Sequence, residues 1–543
     1  MHTQPTQVLL PYHLSEIDDK LNRIAESLQL PKSKRQLASE RYKALATYLE
    51  NDPIFFKYWT KDAYPQGSFA IRTTVKPYKK LEFDLDFVVH LEWRAGNYYT
   101  AMQILEELWQ CLNRDGTYKD MIERKNRCVR VTYADGFYID IMAGCQKDMW
   151  DNHRLKVPDR KTRIWTASSP LGYALWFKEI STLPDNEFLR LKRAYNEKLN
   201  IVDQPAIRLS QDIVKEPPYE LKSPLERAVQ IIKRLRDIYF YDNQDLATSS
   251  IILTTIAGYS YRKQLSIFET IDGIISYVDG LVGQQWNKNR PIKILNPANQ
   301  EEAFSDKWDD EPELYTSFLE FIRFVKALWQ RLRYSDEEKR NLAMMDAFGE
   351  SRVKAILEEF KTHKTEVLRS IVNAGNAGAL YTTSDVKLKT SLQENSYHNI
   401  PKRNFGGDNF LMPIQRFIPS VNQWQRHHIQ KFYGSQFKST TIGKKLIITG
   451  KIRPHAYCEE YKIRIEYVSG QTPQVFITSH DIKPLAKIHM YKSGALCLFY
   501  PPDLKWTYRT KIADHTIPWV AEWIVAYELF QLTDKWEANE VKH

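Results

Sequence analysis

A short acidic run between apolar residues constrains this chain more than any other feature of its sequence. Asp84 and Asp86 alternate with Phe83, Leu85 and Phe87. Alternation along a β-strand places the two carboxylates on one face and the apolar side chains on the other. Like charges that close raise each other's pKa, so the pair implies shared protons or bound cations. We therefore expect a half-buried strand that carries a cation site.

A third acid and a glycine-serine turn complete the pattern. Asp140 lies between Ile139 and Ile141, on a second apolar run that could pair beside the first. Three oxygen ligands suit Mg²⁺, and Mn²⁺ could replace it. Two such ions about 4 Å apart can activate an attacking hydroxyl and stabilise a leaving pyrophosphate. Upstream, Gly67 lets the backbone approach phosphates, and its neighbours Gln66 and Ser68 add groups that can bind the β/γ-phosphates.

The order of these motifs favours catalysis over a structural explanation. A lone Asp-x-Asp is usually surface alternation, and a lone Gly-Ser is usually a turn. All three motifs in this order predict Asp84, Asp86 and Asp140 as metal ligands and catalytic residues, and Gln66, Gly67 and Ser68 as nucleotide-binding residues.

The surrounding pattern predicts an α+β fold. Strand-like runs at 83–89, 129–133 and 138–142 enclose a helical pattern at 99–112, which indicates a mixed sheet flanked by helices. Further helices are predicted at 223–239, 250–262, 315–333 and 335–372. The first of these has a capping box of Ser223 and Glu226, and its pattern leaves Arg227, Lys233, Arg234 and Arg236 on a polar face.

The length of 543 residues exceeds what one hydrophobic core usually organises. We predict a catalytic lobe with N-terminal helices at 1–215, a helical lobe at 216–376, a linker at 377–412 and a smaller α+β domain at 413–543. In the last domain a helix at 413–432 precedes strands at 444–452, 461–467 and 474–478, and another helix follows Pro518.

Composition narrows the environment and the partners. Five cysteines without a CxxC pair argue against a disulfide framework and a zinc knot. The start of the chain lacks a signal-peptide pattern, and the sequence has no apolar run of membrane-spanning length. We therefore expect a cytoplasmic protein without a membrane partner. The net charge of +10 favours polyanionic ligands such as nucleotides.

The motifs resemble those of the polymerase-β-like nucleotidyltransferases, and among them the cGAS/DncV-like CD-NTases of CBASS antiphage defence. The resemblance covers about residues 10–380 and implies Mg²⁺-dependent joining of ATP, GTP or other NTPs into a cyclic oligonucleotide that activates a downstream effector. It also implies that Lys233 and Ser250 hold the triphosphate, although Ser249 is equally suited. The matching segments are 66–69, 82–91, 138–141, 168–173 with 176–177, 227–234 and 254–257.

The tail is similar to bacterial ubiquitin-conjugating-enzyme-like proteins. A helix, antiparallel strands, a loop bearing Cys497 and a closing helix follow the order of that fold. The resemblance implies that Cys497 is a thioester-forming nucleophile acting on a conjugation target. However, His489-Met490-Tyr491 stands where eukaryotic members have His-Pro-Asn, so the usual oxyanion-stabilising Asn is missing. Cys497 could equally be a buried apolar residue, and the tail could be a regulatory sensor domain.

Two other functions stay open at this point. An RNA-primed nucleotidyltransferase of the poly(A) or tRNA type would share the acidic triad. A catalytically inactive nucleotide-binding sensor would need only the basic surface, and the intact triad counts against it.

Overall fold

The computed structural model describes residues 12–79, 83–114, 116–184, 222–284, 290–376, 421–455, 457–498, 506–507 and 510–538. The chain divides into two compact units. The larger unit is Ile17–Ile356, and the smaller unit contains Leu357–His543. The predicted linker at 377–412 lies outside the described residues, and so does the predicted start of the following helix at 413–420. The bounds of the four predicted segments stay predictions.

A seven-stranded mixed sheet lies at the centre of the larger unit. Its order is β1-β2-β5-β4-β3, with β6 beside β5 and β7 beside β6. Strands β2 and β5 run parallel and the other pairs are antiparallel. The predicted α+β architecture is confirmed. The strands are β1 Thr60–Gln66, β2 Phe83–Leu91, β3 Ile122–Arg124, β4 Val129–Tyr133, β5 Phe137–Gln146, β6 Leu155–Pro158 and β7 Trp165–Ser168.

Alternation in β2 and β5 builds the core beneath the acidic face. Leu85, Phe87, Ile139 and Ile141 are buried in one apolar cluster on the opposite face of the sheet. The following helix, Ala101–Asn113, packs its apolar stripe into this cluster and begins at a capping box formed by Thr100. Apolar burial on one face thus fixes the register that brings the acids together on the other.

The helices up to residue 376 mostly follow the predicted spacing, and the last of them continues into the smaller unit. The capping box of Ser223 and Glu226 is present at the start of α8. In chain order the helices are α1 Tyr12–Ser27, α2 Lys32–Glu50, α3 Phe56–Trp59, α4 Gly67–Ala70, α5 Ala95–Tyr98, α6 Ala101–Asn113, α7 Pro170–Ser181, α8 Pro224–Tyr239, α9 Ser250–Ser260, α10 Ile267–Gly283, α11 Lys307–Asp310, α12 Pro312–Tyr334, α13 Glu337–Phe348 and α14 Glu350–Asn376. A small hairpin, β8 Leu295–Asn296 and β9 Asn299–Ala303, lies between α10 and α11.

Two sequence predictions about these helices are wrong. The single helix predicted at 335–372 is two helices, because Gly349 adopts a φ of +97° that no helix can continue. Half of the polar face predicted for α8 is buried: Lys233 is 6% exposed and Arg234 is 1% exposed, whereas Arg227 and Arg236 are half-buried. Helices α9, α10, α12 and α13 pack around α8, and a local apolar pattern does not reveal such an environment.

The smaller unit contains a four-stranded antiparallel meander and its own core. Its elements are α15 Val421–Tyr433, β10 Phe437–Ile442, β11 Lys445–Ile452, β12 Tyr461–Val468, β13 Gln474–Ile477 and α16 Ile517–Thr533. The strands predicted at 444–452, 461–467 and 474–478 are present. Sequence analysis missed β10, whose side chains are mostly exposed and therefore lack apolar alternation.

No helix within the described ranges is long and apolar enough to cross a membrane. All five cysteines lie in described segments, and each is a free thiol.

Candidate active site

The parallel register of β2 and β5 places the three predicted metal ligands side by side. Asp86 lies directly opposite Asp140, and Asp84 pairs with Tyr138 two positions earlier. Neighbouring strands lie about 4.8 Å apart and alternate residues share a face. The three carboxylates therefore meet on one surface of the sheet, although 56 positions of sequence separate Asp84 from Asp140.

An arginine that sequence analysis missed holds the third acid. Arg130 on β4 lies opposite Asp140 and donates to both of its oxygens, at 2.7 and 2.8 Å. The Arg130 guanidinium also stacks 3.6 Å from the centre of the Tyr138 ring. The alternation of Val129, Arg130 and Val131 could have placed Arg130 on the polar face, but only the pairing of β4 with β5 identifies its partner.

Burial and mutual repulsion perturb the two acids of β2. Burial raises the pKa of Asp86 well above its usual value, and the charges of Asp84 and Asp140 raise it further. Burial and then Asp140 raise the pKa of Asp84 to about 6, against the lowering effects of Arg130, Lys233 and Arg236. A bound cation would reduce the repulsion between these buried, closely spaced carboxylates.

This donor set fits Mg²⁺ in chemistry and needs one rearrangement. Three carboxylates on one face are the oxygen ligands that Mg²⁺ prefers. Within the described parts of the chain, no three His, Cys, Asp or Glu side chains form a ready-made metal cluster. Arg130 occupies both oxygens of Asp140. Asp140 would exchange part of this ion pair for a cation.

Gly67 lies against the acidic face at the junction of β1 and α4. Its φ is +61°, a conformation that favours glycine, and Gln66 pairs with Asp86 across the β1–β2 ladder. A Cβ atom on Gly67 would stand 1.9 Å from Oδ2 of Asp86. The next residue, Ser68, has its Oγ 3.4 Å from Oγ1 of Thr74. The backbone thus approaches the acids as closely as a phosphate-binding turn requires.

Lys233 and Ser250 line the same cavity as Asp84 and Asp86. The Lys233 Nζ lies 3.1 Å from Oγ1 of Thr73, and burial, followed by the charge of Arg236, lowers the pKa of Lys233 to about 8. Ser250 begins α9, and its Oγ accepts a 2.5 Å hydrogen bond from Nη1 of Arg236. Sequence analysis missed Arg236, although it follows Lys233 by three positions on α8.

These groups enclose a cavity of about 780 Å³. It is large enough for a nucleoside triphosphate. Its lining combines two acids with a lysine, an arginine and several hydroxyls. The residues used here that line it are Gly67, Ser68, Asp84, Asp86, Lys233, Arg236, Ser249 and Ser250.

Cys497 in the smaller unit lies in a tight hairpin and is partly exposed. Its backbone N–H donates to the His489 carbonyl at 2.7 Å, and Gly494 makes the turn with a φ of +82°. The Tyr491 hydroxyl bonds to the Cys497 sulfur, and this contact is the main reason that the pKa of Tyr491 is raised to about 12. Tyr491 thus contacts the sulfur from the position where the His-Pro-Asn motif has Asn.

Both the first part of the chain and its tail match known protein families. Residues 16–180 match the Second Messenger Oligonucleotide or Dinucleotide Synthetase domain, and residues 425–543 match the type II CBASS E2 protein. A c-di-GMP synthase of Roseivirga ehrenbergii is 37% identical over 336 residues, which cover 62% of this chain and 85% of the relative.

More distant relatives share the fold. The cyclic dinucleotide synthase CdnG of Bradyrhizobium diazoefficiens is 24% identical over 352 residues, covering 63% of this chain and 83% of that protein. The solved structure of the CD-NTase CdnG of B. diazoefficiens in complex with GTP superposes with a TM-score of 0.53. At 24% identity it covers 63% of this chain and 98% of the CdnG chain.

The mixed sheet carries paired acids on one strand, a third acid on the parallel neighbouring strand and a glycine-serine turn beside them. This combination defines a polymerase-β-like nucleotidyltransferase. The chain belongs to the second messenger oligonucleotide or dinucleotide synthetases, the CD-NTases of CBASS, and its tail is a conjugating-enzyme-like (E2) domain. It is therefore an enzyme that makes a cyclic nucleotide messenger from NTPs. Members of this family are generally Mg²⁺-dependent. The match to the E2 family favours the conjugating-enzyme resemblance of the tail over the sensor alternative.

Proposed function

We propose that this enzyme joins two GTP molecules into c-di-GMP, with Mg²⁺ ions held by Asp84, Asp86 and Asp140. The observation that carries the proposal is the register that puts Asp86 opposite Asp140, with Gly67 against Asp86. Two findings support GTP as the substrate: the R. ehrenbergii relative is named a c-di-GMP synthase, and the CdnG structure contains GTP.

The residues of the cavity divide into a triphosphate side and an acidic side. Lys233 and Arg236 supply positive charge for the triphosphate, and the hydroxyls of Ser68 and Ser250 donate to its oxygens. Gly67 leaves room for the phosphates beside Asp86. Asp140 stands where the attacking hydroxyl would approach and can accept its proton. Two bound Mg²⁺ ions would activate that hydroxyl and stabilise the departing pyrophosphate.

The setting follows from the chemistry of substrate and product. NTPs and free thiols are both found in the cytoplasm, so we place the enzyme there. The product would bind and activate a cyclic-dinucleotide-responsive effector, as the CBASS family assignment implies.

Pyrophosphate release tests the proposed reaction. The paired substitutions Asp84→Asn and Asp86→Asn remove negative charge without removing volume, and we expect them to abolish release from GTP in the presence of Mg²⁺. Asp62→Asn is the matched control, because Asp62 is exposed on β1 outside the cavity. Mass analysis of phosphatase-resistant product should show c-di-GMP. Unchanged release in the double variant would reject the acidic site.

The same assay separates the two alternatives. An RNA-primed transferase would release pyrophosphate only when a primer is added, and would extend that primer. An inactive nucleotide-binding sensor would bind GTP and release no pyrophosphate under any condition.

We propose in addition that Cys497 forms a thioester in the smaller unit. Its sulfur would attack the carbonyl carbon of an incoming thioester, the new sulfur–acyl bond would form, and the donor's thiol would leave. The acyl group would then pass to an amine of a conjugation target. The Tyr491 hydroxyl, already bonded to the sulfur, can donate to the oxyanion in place of the missing Asn.

Alkylation tests whether Cys497 is a reactive thiol. We expect iodoacetamide to modify Cys497 before the buried Cys145 and Cys458, which serve as internal controls. In Tyr491→Phe the rate of Cys497 alkylation should change while the buried thiols stay unmodified. A Cys497 no more reactive than Cys458 in the folded protein would reject this role.

A further inference from the structure

A second, smaller cavity opens beside the catalytic one. Its volume is about 260 Å³, below the range of about 300–1,000 Å³ that usually holds a drug-sized ligand. It shares Gly67, Asp86 and Ile251 with the catalytic cavity. A nucleotide whose triphosphate lies between Lys233 and the acids could therefore place its base in this second space.

Polar and apolar residues line this cavity in about equal number, and two of them are aromatic. Tyr173 and Phe304 lie edge to face, with ring centres 5.7 Å apart, and both aromatic rings line the cavity. The Tyr173 hydroxyl is bonded to Thr255 and so is directed into the protein. Aromatic side chains beside convergent polar groups are a usual combination in a site for a heteroaromatic ring.

Glu302 is the centre of the polar cluster. Its Oε1 accepts from Oγ of Ser168 at 3.1 Å, and its Oε2 accepts from the Ser169 amide at 3.2 Å and from Nδ2 of Asn296 at 2.6 Å. Oε2 therefore has both lone pairs engaged, whereas Oε1 keeps one for a ligand. Ser168 gives its only proton to Glu302, so its Oγ can offer a ligand nothing but lone pairs.

Glu302 and Ser168 thus form two adjacent acceptors on the cavity wall, 3.1 Å apart. Guanine presents two neighbouring donors on one edge, N1–H and the 2-amino group. Adenine presents an acceptor, N1, beside its 6-amino donor. In the same position, the adenine N1 would lie opposite a protein acceptor and could not form a hydrogen bond with it. Arg127 also lines the cavity and has more N–H groups than its bond to Asp159 uses, which suits the guanine O6.

We propose that this cavity binds the guanine base of GTP, and that Glu302 and Ser168 read its N1–H and 2-amino groups. The inference rests on the proposed function and assigns its base specificity. Burial raises the pKa of Glu302 above its usual value, and two donors from guanine would favour the ionised carboxylate.

Nucleotide analogues test the inference on the unaltered enzyme. ITP keeps N1–H and O6 but lacks the 2-amino group, and 2-aminopurine riboside triphosphate keeps the 2-amino group but has an acceptor at N1. We expect kcat/KM for pyrophosphate release to fall from GTP to ITP and to fall at least about tenfold from GTP to the 2-aminopurine nucleotide. Equal values for the three nucleotides would overturn the inference.

Glu302→Gln tests the residue directly, because it replaces one acceptor by a donor. The ratio of kcat/KM for GTP to that for ATP should fall at least about tenfold. Glu301→Gln is the matched control: Glu301 is exposed, bonds Lys147 on the other face of β9 and does not line the cavity, so its ratio should stay unchanged. If Glu302→Gln fails to melt cooperatively, Ser168→Ala should lower the same ratio.

The outcomes separate this inference from the proposed function. An enzyme that releases pyrophosphate but whose GTP-to-ATP ratio is unaffected by Glu302→Gln and Ser168→Ala refutes base reading and leaves the catalytic site intact. An enzyme that releases no pyrophosphate from any NTP refutes the proposed function instead. In that case direct binding decides the inference: tighter binding of GTP than of ATP, lost in Glu302→Gln, supports it, and equal binding overturns it.

Discussion

Replacing Gly67 by alanine gives a direct test of the active-site geometry. The new Cβ would stand 1.9 Å from Oδ2 of Asp86, whereas ordinary contacts begin at 3.4 Å. The carboxylate would therefore have to move by about 1.5 Å, the difference between these two distances. A misplacement of about 1 Å in a catalytic group can cost about 10²-fold in rate, so we expect kcat to fall at least about 100-fold, equivalent to about 2.7 kcal/mol.

Backbone strain alone predicts a different result. Alanine at a positive φ costs about 1–2 kcal/mol of stability wherever it occurs. Gly136 has a φ of +81° in the turn before β5, and a Cβ there would meet no atom within 4 Å. Gly136→Ala is therefore the matched control, with similar strain and no contact with Asp86.

The assay is steady-state pyrophosphate release at saturating GTP and Mg²⁺, with thermal melting of both variants by circular dichroism. We expect a large loss of kcat in Gly67→Ala alone, measured at a temperature where both variants are folded. A Gly67→Ala enzyme within about threefold of the wild-type rate would refute the reasoning, and so would an equal loss in Gly136→Ala.

Three further predictions concern stability. Burial, and then the charge of Lys61, lower the pKa of His90 to about 4 from an unfolded value of 6.5, so folding stability is fully present above pH 6.5 and is lost as the pH falls toward 4. Asp84 and Asp86 on the same strand have raised pKa values and oppose this trend, so the expected signal is the difference between the wild type and His90→Gln. The opening equilibrium of β2, measured by hydrogen exchange after correction for intrinsic rates, should rise relative to that of His90→Gln by up to about tenfold per pH unit as the pH falls through this window, and a pH-independent ratio would contradict the assignment. Glu528 accepts hydrogen bonds from the Tyr461 hydroxyl and the Glu459 amide, and it pairs with Lys364 at 3.1 Å. Glu528→Gln should therefore destabilise the smaller unit by about 3 kcal/mol, which calorimetry would show as a lower melting transition. Tyr461→Phe removes one hydrogen bond and should cost about 1 kcal/mol. Gly450→Ala would put a Cβ 2.2 Å from Cδ1 of Phe437 and should lower the same transition by about 1–3 kcal/mol; an unchanged transition would show that β10 shifts freely.

Local features of this protein could be read from its sequence alone. Alternation around Asp84 and Asp86 predicted a strand with one acidic face, and the capping box at Ser223 predicted where α8 begins. These features are local because strand alternation and helix capping depend only on residues a few positions apart. The order of the acidic motifs was also sufficient to indicate the family.

The pairing of residues that are far apart in the sequence depends on the tertiary structure. Strand order put Asp140 opposite Asp86 and brought Arg130 to Asp140, and helix packing buried Lys233 and set Arg236 against Ser250. A local pattern cannot report such pairings, because strand order and helix neighbours depend on the whole core rather than on nearby residues. The same long-range packing brought Glu302, from a hairpin more than 200 residues beyond β2, to the cavity that borders Asp86.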